Sequence, residues 1–294
     1  MAEILLIHTG GTIGMAPGPN GLAPAKGLVE AAARRMAPAD ARLTLHVFDP
    51  LVDSSAIGPD HWNRMLEVID TFAARCADMP GRASVIITHG TDTMAFTGAA
   101  LAQALAGLPL PVLLCGSMQP LGTGGDAEGN LKLALDAVRE GPAGVRLAFN
   151  GEILQAAGLV KHNSQEADAF RSVPQAPLAG PYRRRRFADR RLAILTLSPG
   201  LPAGALAGAL AALDGAVLRV YGAGTAMADP ELETALAQAV RRGCRIRAIS
   251  QCEEGGLSPG SYAAGAMLWR AGLENGGPET AEAALARLWL ELSD

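Results

Sequence analysis

Two clusters of hydroxyl-bearing residues stand out, because each follows an apolar run and each is interrupted by glycine. Thr9-Gly10-Gly11-Thr12 follows EILLIH (residues 3–8), and Thr88-His89-Gly90-Thr91-Asp92-Thr93 closes ASVIIT (residues 83–88). In the first, the paired glycines let the backbone turn tightly and bring N–H groups close to a ligand. Thr12 then offers a hydroxyl where an attacking oxygen and an oxyanion-binding N–H can sit together. A dinucleotide loop does not fit: in a G-x-G-x-x-G register Thr9 holds the first glycine position, although Gly11 and Gly14 fill the others. In the second cluster, a helix N-cap explains one Thr or Asp before MAFTGAAL. It does not explain a run of hydroxyls, an imidazole and a carboxylate around one glycine. His89 beside Asp92, with no nucleophile elbow, reads as structural.

Weaker signals lie elsewhere. Asp53-Ser54-Ser55 forms a polar break between HVFDPLV and a helical stretch starting near Pro59, and by itself reads as a loop or a cap. Lys161, in GLVKHNSQEADAF, by itself reads as a solvated loop lysine. The basic run Arg183 to Arg186, with Arg190 and Arg191, has no interleaved aromatics and reads as a solvated linker rather than a nucleic-acid patch.

The elements that must position these residues follow from periodicity. EILLIH and ASVIIT read as buried parallel strands. After the second comes MAFTGAALAQALAGL, of helical period, which stops at Gly107 and Pro109 and is followed by a strand in PVLLCG. Strand-helix-strand alternation implies a doubly wound sheet, whose ligands bind beyond the carboxyl ends of the strands. The two polar clusters therefore face one crevice. Pro174 to Arg191, rich in Pro and Arg and without apolar period, marks a boundary. Beyond it LAILTL, GAVLRVYG and CRIRAISQ read as strands between Ala-rich helices, and AEAALARLWLEL closes the chain as a helix. The expected fold class is α/β in two domains. A larger N-terminal parallel-sheet domain covers residues 1–180, an Arg-rich linker 181–191, and a smaller C-terminal α/β domain 192–294.

Composition narrows the function classes. A chain of 294 residues can bury one large core or two modest ones. A net charge of -4 gives no global attraction to nucleic acid or anionic membrane. Cys76, Cys115, Cys244 and Cys252 form no C-x-x-C pair and read as buried reduced thiols rather than a metal or redox motif. The apolar run near Met1 is too short for a secretory signal, so a cytoplasmic location is expected.

TGGTIGM, DSS with Trp62 after it, HGTDTM, and Lys161 nine residues before Phe170 occur in that order. Together with CGSMQPL followed by Asp126 and Asn130, VYGAGTA, SQC and AGLENGGPETAEAALARL, they make the chain resemble the bacterial-type L-asparaginases, nearest the cytoplasmic type I branch. The resemblance covers nearly the whole chain, and it implies hydrolysis of the side-chain amide of L-asparagine to L-aspartate and ammonia, without metal or organic cofactor. It implies Thr12 as nucleophile and Thr91 as a second hydroxyl centre with Lys161 and Asp92. Ser54 and Ser55 would hold the substrate's α-carboxylate, Asp92 its α-ammonium, and Gly11 and Gly90 would present backbone to it. A homodimer or homotetramer is also implied. A threonine hydroxyl needs a base, and Lys161 can serve once deprotonated. One position departs from the pattern: Leu22 holds the register where the family carries a tyrosine that polarises the nucleophile. The surrounding APGPNGLAPAKG is punctuated by Gly and Pro as lids often are. The rival readings are a glutaminase or other small-amide hydrolase, and a catalytically weak amino-acid-binding protein.

Overall fold

The computed structural model describes residues 1–19 and 21–294 and divides into two compact units, Met1–Arg186 and Phe187–Asp294. The division falls inside the Pro- and Arg-rich segment. No helix among the described residues is long and apolar enough to cross a membrane.

In the first unit the chain runs β1 (Ala2–His8), β2 (Met15–Gly18), β3 (Gly21–Pro24), α1 (Leu28–Met36), β4 (Ala41–Val47), α2 (Pro59–Arg75), β5 (Ala83–Thr88) and α3 (Met94–Ala104). It continues through β6 (Pro111–Cys115), α4 (Ala127–Ala137), β7 (Gly144–Phe149), β8 (Glu152–Gln155), β9 (Leu159–Lys161) and β10 (Phe170–Ser172). The main sheet has the order β4-β1-β5-β6-β7-β8 and is parallel except for the β7–β8 pair. Strands buried on both faces read as unbroken apolar runs, which is why β5 carries no alternation and is buried at every residue. Ile4 and Leu6 of β1 and Ile86 of β5 pack with Val29, Ala32 and Ala33 of α1 and Leu131, Ala134 and Leu135 of α4. Trp62, Met65, Leu66, Ile69 and Phe72 form the buried stripe of α2, at the spacing a helix needs to cover the other sheet face. Helix α3 is buried nearly all round, as its uniformly apolar sequence requires.

From β1 the chain goes to β4 on one side of it and then crosses back to β5 on the other, so strand order reverses between β1 and β5. The loops after these two strands lie at that switch point, where open α/β sheets bind their ligands. The segment read as an open loop after TGGTIGM is instead the antiparallel pair β2–β3, with Leu22 opposite Pro17. Asn20 lies outside the described residues.

The second unit comprises β11 (Leu192–Thr196), α5 (Ala203–Ala211), β12 (Gly215–Val220), α6 (Pro230–Arg241), β13 (Arg245–Ser250), α7 (Ala266–Arg270), β14 (Glu274–Asn275) and α8 (Ala281–Glu291). Its sheet is parallel in the order β11-β12-β13-β14. Its ends carry capping chemistry: Asp229 accepts the N–H groups of Glu231 and Leu232, and Thr280 accepts that of Ala283.

Two expectations need correction. The basic run is not simply solvated: Arg185 is buried, and Arg186 donates to Asp70 at 2.8 Å while Tyr182 also bonds that carboxylate. A buried carboxylate on α2 demands positive and hydrogen-bonding partners, and the linear sequence does not show which residues will meet it. Of the four thiols, Cys252 is exposed, whereas Cys76, Cys115 and Cys244 are buried.

Candidate active site

Backbone packing builds the site before any side chain does. Thr9 follows β1, and both its N–H (3.1 Å) and its hydroxyl (2.9 Å) donate to the carbonyl of Thr88, tying the ends of β1 and β5 together. Gly10 and Gly11 then take φ of 132° and 86°, a region that favours glycine. A Cβ on Gly11 would stand 2.3 Å from the nitrogen of Gly90, and one on Gly90 would stand 2.5 Å from the Ser54 hydroxyl. Three chain segments thus touch at positions where only glycine fits. Thr12 opens a single 3₁₀ turn, closed by the Gly14 N–H on the Gly11 carbonyl at 3.0 Å.

In the second segment Asp53 acts as a cap. One of its carboxylate oxygens accepts the N–H (2.8 Å) and the hydroxyl (2.7 Å) of Ser55, and these bonds hold the Asp53 carboxyl below the usual carboxylate range. The cap turns Ser55 outward and leaves Ser54 buried. The Thr93 hydroxyl, at the N-cap position of α3, makes no capping bond and donates instead to the Ser54 carbonyl at 2.6 Å, fastening the DSS turn to the HGTDT loop.

The third contribution comes from β9. Helix α3 packs against this strand, and the β9–β10 pairing places Lys161 opposite Phe170. Lys161 Nζ donates to Thr91 Oγ1 at 3.0 Å and to Asp92 Oδ1 at 2.7 Å. The loop after β6 is held by Asp126, whose oxygens accept the N–H groups of Met118 (2.9 Å) and Gln119 (3.0 Å), while Asn130 donates to the Gly116 carbonyl at 2.9 Å.

A cavity of about 140 Å³ results, lined by Gly11, Thr12, Ser54, Gly90, Thr91, Asp92 and Lys161 together with Met15, Asp53, Met118 and Ser164. The fold therefore brings together every candidate residue except Ser55, whose hydroxyl is spent on Asp53. At ~30 Å³ per water the cavity holds about five waters, the scale of a small polar solute and far below a nucleotide. Two roomier cavities of about 440 and 450 Å³ lie elsewhere in this unit. Neither gathers a hydroxyl next to an amine and a carboxylate, so size does not locate the chemistry. Sequence reasoning missed four lining residues. Asp53 was legible as part of the DSS triplet; Met15 and Met118 sit inside the quoted TGGTIGM and CGSMQPL motifs but have no reactive group to single them out, and Ser164 gave no signal, because only the fold places it. Leu22 does not line the cavity and is half exposed on β3. Among the described residues no group of three or more His, Cys, Asp or Glu side chains is arranged to hold a metal ion.

A hydroxyl-rich cavity at the switch point of a parallel sheet, in a chain with a second small α/β unit, defines a class of α/β protein with a site for small polar molecules. Comparison with known proteins identifies the class more closely. Residues 3–190 match the family model described as "Asparaginase, N-terminal", and residues 191–294 match "Glutaminase/Asparaginase C-terminal domain". L-asparaginase 1 of Escherichia coli is 32% identical, the match covering 99% of this chain and 92% of that one. Among solved structures, L-asparaginase I of Vibrio cholerae superposes with a TM-score of 0.85 at 30% identity, covering 100% of this chain and 93% of its own. The thermostable L-asparaginase of Thermococcus kodakarensis gives 0.83 at 27% identity, with 99% and 93% covered. The chain belongs to the asparaginase family and is an amidohydrolase.

Proposed function

We propose that the cavity binds L-asparagine and hydrolyses its side-chain amide, with Thr12 as nucleophile. The observation that carries this reading is the Lys161 amine bridging the Thr91 hydroxyl and the Asp92 carboxylate in the same small cavity as Thr12 and Ser54. A zwitterionic amino acid needs an anion site and a cation site to fix it with its amide over the hydroxyl. Ser54 and neighbouring N–H groups take the α-carboxylate. The formal charges lining the cavity are the Asp53 and Asp92 carboxylates and one ammonium at Lys161, an excess of negative charge that suits the α-ammonium.

In the proposed reaction Thr12 Oγ adds to the amide carbon and its proton goes to the leaving nitrogen, so ammonia departs and an ester remains on Thr12. Backbone N–H groups at Gly11 and Thr91 stabilise the oxyanion. Water, oriented by Thr91 and relieved of a proton through Lys161, then cleaves the ester, releasing aspartate and returning a proton to Thr12. Incubating purified protein with asparagine, glutamine and their D-forms and measuring ammonia tests the function. Release from L-asparagine above the others supports it, preference for glutamine replaces the substrate, and release from none leaves an amino-acid-binding protein. The assembly proposed from family resemblance is a homodimer or homotetramer. Light scattering at micromolar concentration should give two or four times the 30.2 kDa of one chain, and a single-chain mass refutes it.

A further inference from the structure

His89 is fully buried at the end of β5, one residue before the backbone that lines the cavity, yet it does not line the cavity itself. For the neutral ring its hydrogen bonds have only one consistent polarity. Nδ1 lies 2.7 Å from the carbonyl of Gly90, and a carbonyl only accepts, so Nδ1 carries the proton. Nε2 is then a bare acceptor and takes the Thr97 hydroxyl proton at 2.9 Å. The Thr97 oxygen in turn accepts the indole N–H of Trp62 at 3.0 Å. The result is a directed chain, Trp62 to Thr97 to His89 to Gly90, running from α2 through α3 into the HGTDT loop. Burial favours the neutral ring and pushes the His89 pKa down to about 4, so the chain keeps this polarity at neutral pH.

The Gly90 carbonyl belongs to the same peptide unit as the Thr91 N–H, and in a trans peptide the two point in opposite directions. Among the described residues the only cis bond is Asp49–Pro50, so the Gly90–Thr91 peptide is trans. Drawing the carbonyl inward onto the imidazole therefore turns the Thr91 N–H outward, and no protein acceptor among the described residues takes it. We propose that His89 is a positioning residue, locked in the Nδ1–H tautomer by Thr97 and Trp62, which holds the Gly90 carbonyl inward and so presents the Thr91 N–H to the cavity as an oxyanion donor. An apolar side chain would fill the same space without the desolvation cost of an imidazole. The matched donors and acceptors are what an orienting role requires. This deepens the reading given above and rests on it for the identity of the anion.

Thr97→Val is close to isosteric and removes the hydroxyl, whereas Thr97→Ser keeps it. Loss of one oxyanion donor costs ~10²–10³ in kcat, and a misaimed donor costs a part of that. The expected result is a fall in kcat of about tenfold or more in Thr97→Val, with aspartate affinity within about twofold of wild type, and recovery to within about threefold in Thr97→Ser. Wild-type kcat in folded Thr97→Val, or parallel loss of aspartate affinity, overturns the proposal. A second measurement needs neither turnover nor a variant of Thr97. In ¹⁵N-histidine-labelled protein, with the His89 signal assigned by its loss in His89→Gln, the ring nitrogens should show Nδ1 protonated and Nε2 bare. The Nε2–H tautomer or a mixture overturns the proposal. Absence of ammonia release by wild type, by contrast, removes the asparaginase reading and leaves the tautomer result to decide the positioning.

Discussion

At the scale of single residues, the sequence exposes the reacting groups and hides what restrains them. Thr12, Thr91 and Asp92 were legible because they sit in polar clusters that follow apolar runs, Lys161 only through the family resemblance, and the fold brings them to one cavity. The division of labour inside DSS was not legible: the order of three polar residues does not say that Asp53 will bind Ser55 and leave only Ser54 facing inward. Which threonine is attacked through is a question at this scale. Thr91 holds the amine, but Thr12 stands in the glycine-rich turn that offers oxyanion geometry. Thr12→Ala is therefore expected to abolish covalent trapping by an electrophilic asparagine analogue. Thr91→Val and Lys161→Met should slow turnover by ~10²–10⁴-fold, the usual worth of general acid–base assistance, while still binding aspartate. Peptide mapping of the adduct checks the assignment, and label on Thr91 would transfer the nucleophile there.

At the scale of elements, strands and helices were readable because apolar periodicity is local. The contacts between loops were not, since they depend on which strands become neighbours. β1 and β5 are far apart in sequence, yet their register sets His8 opposite Thr88, so the two polar clusters start side by side. A lid loop was expected after TGGTIGM, and the β2–β3 pair found there was not legible because its glycines and prolines mask any alternation. The two polar loops meet at Gly11 and Gly90, and the contact yields a sharp expectation. In Gly11→Ala the new methyl would meet the backbone of Gly90 and His89, at 2.3 to 2.8 Å, which no rotamer change can relieve. The positive φ of Gly11 adds a further penalty of ~1 kcal/mol. Loss of activity with a lowered melting temperature is expected. Gly129→Ala, where a Cβ meets nothing within 4 Å, should behave as wild type in both measurements. A fully active, equally stable Gly11→Ala would show that the loops do not need this contact.

At the scale of the whole molecule, the dependence of stability on pH follows from histidines that the fold keeps neutral. Burial lowers the pKa of both His8 and His89 from 6.5 to about 4, opposed at His8 by the nearby Glu30 and at His89 by its bond to Gly90. The unfolded chain takes up a proton at each near pH 6.5, and the folded chain does so only near pH 4. Between those values the unfolded state binds more protons, so stability present above pH 6.5 is lost as pH falls. From about pH 7.5 to about pH 5.5 the linkage relation gives a loss on the order of 1 kcal/mol per histidine, and about twice that for the pair. His46 is shifted in the same direction and adds to the trend. The depressed carboxyls of Asp49 and Asp53 act in the same sense but only nearer pH 4, below this window. Glu279 and Glu282, raised by burial, work in the opposite sense, but both belong to the second unit. The first unit can be followed separately because Trp62 is its only tryptophan, once Trp269 and Trp289 are replaced by Phe. Urea midpoints read from Trp62 should fall steadily over the window, and His89→Gln should remove about half of the slope. A midpoint that stays flat from pH 7.5 to 5.5 would mean that the histidines are protonated in the folded protein; a protonated His89 would still donate to the Gly90 carbonyl, but its Nε2 could no longer accept the Thr97 hydroxyl proton, and the tautomer lock would be absent.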